Sequence, residues 1–142
     1  MKVLRSILVR QACFVVFALA ISGLSLTPTT SADVSECQDL IAALRAQTEI
    51  VAISGKNAEK NRAGLLAKLD NASAELSTGK LCDAIGKLND FRNKVNQLIA
   101  SGSINTDTTA GVTGQDLVDG ATEAIACVQA LVDESGIVCP LE

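Results

Sequence analysis

The chain has no histidine, tryptophan or tyrosine, only three phenylalanines and two prolines in 142 residues, and no basic residue after Lys94. Each gap narrows the chemistry. Without histidine, acyl transfer through Ser or Cys lacks its ordinary general base. Tetrahedral zinc also loses its commonest nitrogen ligand, and no Cys-x-x-Cys spacing compensates. Without Trp and Tyr there are no stacking platforms for sugars. No glycine loop follows a strand to cradle phosphate, because β-branched residues nowhere alternate with polar ones over a useful length. The expectation is a protein that is not an enzyme and carries no cofactor.

The first 32 residues read as an export signal. Lys2, Arg5 and Arg10 precede a run from Ala12 to Leu26 broken only by Ser22, Gly23 and Ser25, and Thr30-Ser31-Ala32 offers small residues for cleavage. The run is shorter than the roughly 20 apolar residues of a membrane span, so no stable span is expected after cleavage. Arg5 and Arg10 are not adjacent, as a twin-arginine signal requires, and Cys13 stands too early for a lipidated cysteine. Cleavage after Ala32 predicts a secreted or periplasmic chain of 110 residues (33–142), the size of one domain. All sixteen acids but only nine of the twelve bases lie in it, giving a net charge of −7 that argues against nucleic acid as partner. Seven acids follow Lys94, from Asp107 to Glu142, and read as a solvated acidic face.

Apolar residues recur at helical spacing in four stretches, which predicts an all-α, up-and-down bundle. The first helix is expected over about 34–53, with Val34, Cys37, Leu40, Ile41, Leu44 and Val51 as its stripe, Asp33 and Glu36 at its start and Gly55 as its stop. The second, about 58–76, carries Leu65, Leu66, Leu69, Ala72 and Leu76 and closes on Gly79. The third, about 81–100, carries Leu81, Ile85, Leu88, Phe91, Val95 and Leu98 before Ser101-Gly102; Gly86 within it suggests a close helix crossing. The fourth, about 114–134, opens on a capping box at Thr113–Asp116 and runs through Leu117, Ala121, Ile125, Val128, Leu131 and Val132 to Gly136. The link from 101 to 112 is rich in Thr, Gly, Ser and Asp, which makes it the candidate for a mobile or functional loop.

Cys37, Cys82, Cys127 and Cys139 remain after cleavage, and an even count in an exported chain points to disulfides that staple a core with one aromatic, Phe91. Alternating helix directions bring all four to one end of the bundle. Similar heights favour Cys37 with Cys82 and Cys127 with Cys139. Were the first and third helices diagonal, Cys127 would bridge to one of them and Cys139 to the other.

One constellation outlines a calcium loop of the EF-hand type: Asn105, Asp107 and Thr109 at alternate positions, Val112 at the eighth and Asp116 at the twelfth. It lacks the leading acid, has Ala110 where the sharp turn wants glycine, and closes on Asp in place of Glu. Feeble affinity at most is expected, with Asp116 serving as a helix cap.

Leu65-Leu66-Ala67-Lys68-Leu69, Ala72, Leu76, Gly79, Ala84-Ile85, Leu88, Phe91 and Val95 together resemble the FIMAH-like helical module of bacterial secreted proteins, over about residues 65–98. The resemblance implies a helical hairpin with an accessory or attachment role toward a protein or cell-surface partner, and it implies no catalytic residue. The functional expectation is an exported interaction module. The alternative is an exported inhibitor or small-ligand carrier that uses the bundle interior or the 101–112 loop.

Overall fold

The computed structural model describes residues 33–107, 109 and 111–140. The expected export signal, 1–32, lies outside them. The described chain is all-helical: α1 (Val34–Ile50), α2 (Ala58–Ser77), α3 (Leu81–Ala100) and α4 (Gly114–Ser135). No helix among the described residues is long and apolar enough to cross a membrane.

The helix ends follow from local chemistry. At α1 the Asp33 carboxylate accepts the Ser35 N–H at 3.2 Å, satisfying one of the amides that a helix start leaves unpaired. At α4 the cap is reciprocal. Thr113 Oγ1 accepts the Asp116 N–H at 3.2 Å while Asp116 Oδ2 accepts the Thr113 N–H at 2.8 Å. Gly136 ends α4 in the left-handed conformation at φ 68°, a region that costs a residue with a Cβ.

α1 packs on α2 and α4, and α3 packs on the same two, so the bundle is a square with α1 and α3 at opposite corners. The centre is apolar. Phe91, Ile41, Leu44, Leu65, Leu69, Leu88, Leu117 and Val128 are buried, together with Ala72, Ala84, Ala121 and Ala124, whose small side chains let the helices approach.

Two connections meet at the end where α1 and α3 finish. Ile53 and Ile104 form an isolated antiparallel bridge, flanked by bonds from Ser54 N–H to Ser103 O at 2.7 Å and from Asn105 N–H to Ala52 O at 2.9 Å. That pairing explains why α1 is shorter than expected. Val51 is buried outside the helix with extended backbone (ψ 138°), and the chain enters the bridge where helical periodicity alone would have continued to residue 53. Arg62 of α2 then covers the exposed carbonyls, its guanidinium donating to Thr48 O (2.7 Å), Glu49 O (2.7 Å) and Val51 O (3.0 Å). A cation at a helix C-terminus also complements the helix dipole.

The four cysteines among the described residues lie at the other end, as helix direction requires, but their pairing differs from the favoured one. The bonds are Cys37–Cys127 and Cys82–Cys139, with Cα separations of 5.6 and 5.4 Å. The physical reason is twofold. Diagonal corners keep α1 and α3 apart, beyond the roughly 7 Å that a disulfide tolerates. The helices also do not share a floor: α4 has 22 residues against 17 in α1, so at about 1.5 Å per residue its last turns project past the start of α1 and bring Cys127 level with Cys37. The expected close crossing at Gly86 is likewise absent, since a Cβ built there meets nothing within 4 Å. The tight glycines are in α4. A Cβ at Gly114 would lie 2.7 Å from both Ile104 and Ile99, and one at Gly120 would lie 3.1 Å from Leu44.

Candidate functional site

After Gly136 the chain reverses, with the Ile137 N–H bonded to Val132 O at 3.3 Å, and Cys139 crosses to Cys82 in the first turn of α3. This strap and the facing surfaces of α3 and α4 enclose an open groove of about 1010 Å³. Ile85 and Gly86 line it from α3, Val132 from α4, and Ile137, Val138 and the Cys82–Cys139 cystine from the strap. Four large apolar side chains are exposed among the described residues, and two are here: Val138 at 90% and Ile137 at 44%. The others, Ile50 at 72% and Val34 at 42%, sit at the two ends of α1.

The groove is rimmed by Glu75, Asp83, Asp90 and Asp133 against one base, Lys87. Lys80 pairs with Glu75 at 3.2 Å and Lys68 with Asp90 at 3.4 Å. Solvent-exposed pairs of this kind are worth about 0–1 kcal/mol, so a partner can displace them at little cost. Both thiols here are consumed in a disulfide. The arrangement suits recognition by apolar contact and charge.

The calcium-loop residues are placed differently from the outline in the sequence. Asn105 Oδ1 accepts the Asp107 N–H at 2.9 Å, and Asp107 Oδ1 in turn accepts the Thr109 N–H at 2.9 Å and its hydroxyl at 2.7 Å. These are consecutive Asx turns. Asp116 belongs to the α4 cap, with Oδ2 accepting from both the backbone and the hydroxyl of Thr113. Both carboxyls are held below the ordinary value of 3.8: Asp107 first by the Thr109 hydroxyl and then by the Thr109 N–H, Asp116 first by the Thr113 N–H and then by its hydroxyl. No group of three or more His, Cys, Asp or Glu suited to a metal occurs among the described residues. The 101–112 link is anchored through the buried Ile104 and the backbone bonds to 52–54.

The groove was not found from the sequence, because the strap that closes it carries no periodicity. Its one signal is the spacing of Gly136, Ile137-Val138 and Cys139: a helix stop, two apolar residues and a covalent anchor. Comparison of the chain with family models, curated proteins and solved structures finds no match.

Proposed function

We propose that this chain is an exported interaction module, secreted or periplasmic, that engages a protein or cell-surface partner through its surface and performs no catalysis. The observation that carries the reading is the strap: Ile137 and Val138 face solvent while a disulfide and a helix-capping bond hold them in place. Exposed apolar side chains lose favourable burial, and fixing them in advance lowers the entropy that a partner must remove on binding. Two disulfides support export, since such bonds persist in oxidising compartments. The likeness of 65–98 to the FIMAH-like module supports an accessory role, and that stretch corresponds to most of the α2–α3 hairpin. A carrier that uses the bundle interior has less support, because buried Leu, Ile, Val, Ala and Phe side chains occupy the centre.

Two measurements test this. Mass spectrometry of the exported protein should find an N-terminus at or near Asp33; retention of Met1 to Leu26 would overturn export. Capture with the oxidised mature protein should recover a partner that is lost with Ile137→Ser/Val138→Ser, and a partner indifferent to that change would remove the strap from the reading.

A further inference from the structure

The two disulfides stand in different surroundings. Cys37–Cys127 ties α1 to α4, and Cys37 is wholly buried in the core. Cys82–Cys139 lines the open groove between α3 and α4, with both cysteines partly exposed. What each bond holds also differs. α3 and α4 pack along one another, so the Cys82–Cys139 bond adds only the strap to them. Apart from that bond, residues 137–140 are tied to the bundle by one hydrogen bond among the described residues, from the Ile137 N–H to Val132 O at 3.3 Å. Ile137, Val138 and Pro140 are exposed.

Thiol–disulfide exchange needs a sulfur open to attack and a leaving sulfur that can carry negative charge. Cys82 meets the second need. It is the second residue of α3, whose first turn has no side-chain cap, so unpaired amides and the helix dipole favour a thiolate there, with the adjacent Asp83 opposing in part. Cys37 does not meet it, because a thiolate released into the apolar core would lose its hydration.

We propose that Cys82–Cys139 is a redox switch for the strap: a dithiol reductant opens this bond while Cys37–Cys127 stays closed, the strap leaves the groove, and the bundle remains folded. A thiolate of the reductant attacks Cys139 Sγ, forms a mixed disulfide and expels Cys82 as a thiolate, which takes up a proton. The reductant's second thiol loses its proton and attacks the reductant's own sulfur in the mixed disulfide, which frees Cys139 to be protonated in turn. The cystine is reduced to two thiols, and the reductant leaves as a disulfide. The consequence, loss of the surface made by Ile137 and Val138, rests on the interaction-module reading; the chemistry does not.

The test treats the oxidised mature protein with dithiothreitol under native conditions, quenches samples at intervals with iodoacetamide and maps the alkylated cysteines by mass spectrometry. Cys82 and Cys139 should be alkylated at least about tenfold faster than Cys37 and Cys127. At that stage the helical circular dichroism and the cooperative melt should persist, while hydrogen exchange should rise at Ile137 and Val138 and not in α1. Equal alkylation rates, earlier opening of Cys37–Cys127, unfolding in step with the first reduction, or unchanged exchange in the strap would each overturn the proposal. A partner captured by the oxidised chain should be lost on selective reduction and regained on reoxidation. Capture that survives reduction but not Ile137→Ser/Val138→Ser would overturn the switch. Capture indifferent to both would be a failure of the module reading, which alkylation and exchange, measured without a partner, do not share.

Discussion

The two ends of the bundle hold their chain by different means. Where α1 and α3 finish there is no cysteine; two connections cross in a short backbone bridge, Arg62 gathers three carbonyls, Thr113 and Asp116 cap α4, and Ile104 and Thr113 are buried. At the other end two disulfides do the fixing, and Ile137 and Val138 stand in solvent. Where burial sets position, apolar side chains must go inside. Where a covalent bond sets position, they are free to remain outside, which is what a recognition surface requires.

The sharpest way to break this comparison is to remove each disulfide separately. Loops of 90 and 57 residues are long enough that the chain-entropy model assigns each bond about 4–5 kcal/mol. That model treats the native state as unchanged. For Cys37→Ala/Cys127→Ala it nearly is, because Cys37 lies in the core between packed helices, so the loss should approach that figure and the melting temperature should fall steeply. For Cys82→Ser/Cys139→Ser the strap can detach from an intact bundle, and the entropy it regains offsets much of the cost. A loss below about 2 kcal/mol is expected, with partner capture impaired more than stability. Thermal unfolding of both variants decides it, and equal losses would mean that the strap is part of the core. A non-reducing peptide map should show Cys37 joined to Cys127 and Cys82 to Cys139.

Next in size is the hydrogen-bonded end. Gly114→Ala forces a methyl to within 2.7 Å of Ile104 and Ile99 where the connections cross, and overpacking there should cost about 1–3 kcal/mol. Gly86→Ala, with open space around it in the middle of α3, should instead stabilise by about 0.5–1 kcal/mol. Chemical denaturation reads both, and a common sign would contradict the packing described. Arg62→Ala frees three carbonyls at the end of α1, partly open to water, and should cost about 1–2 kcal/mol, with Arg62→Lys recovering part of it because a single ammonium cannot span three acceptors.

How far these features were legible in the sequence depends on their range. The four helices and most of their ends were, because periodicity and caps are local: Thr113–Asp116 and Gly136 act as their residue types imply. The buried stripe of α3 was legible too, through Leu88, Phe91 and Val95. The disulfide partners were not, since they depend on which corner each helix occupies and on how far α4 overshoots α1, both set by packing. Val51 shows the same limit: its apolar character fits a longer α1, and only the distant Ile104 explains why the helix stops before it. The groove was hidden because its wall is made by residues 137–139, which have no repeat to read.

The smallest expected effect separates the ends by pH. The Asp116 carboxylate is held below its ordinary value of 3.8 by the Thr113 N–H and hydroxyl. A carboxyl depressed in the folded state contributes stability that is fully present above the unfolded value and is lost as pH falls through the folded one. The cap should therefore be intact at neutral pH and weaken below about 3.8. Asp107, held low by Thr109, works in the same direction at the same end. Asp116→Asn abolishes the titration, so the variant should melt below the parent at neutral pH and converge on it in acid. A gap that stayed constant down to about pH 2.5 would show that the cap does not depend on ionisation. Hydrogen exchange adds the spatial part: acid should speed exchange in the first turn of α4, near Asp116, while amides around Cys127, pinned by a bond that does not titrate, should keep their protection.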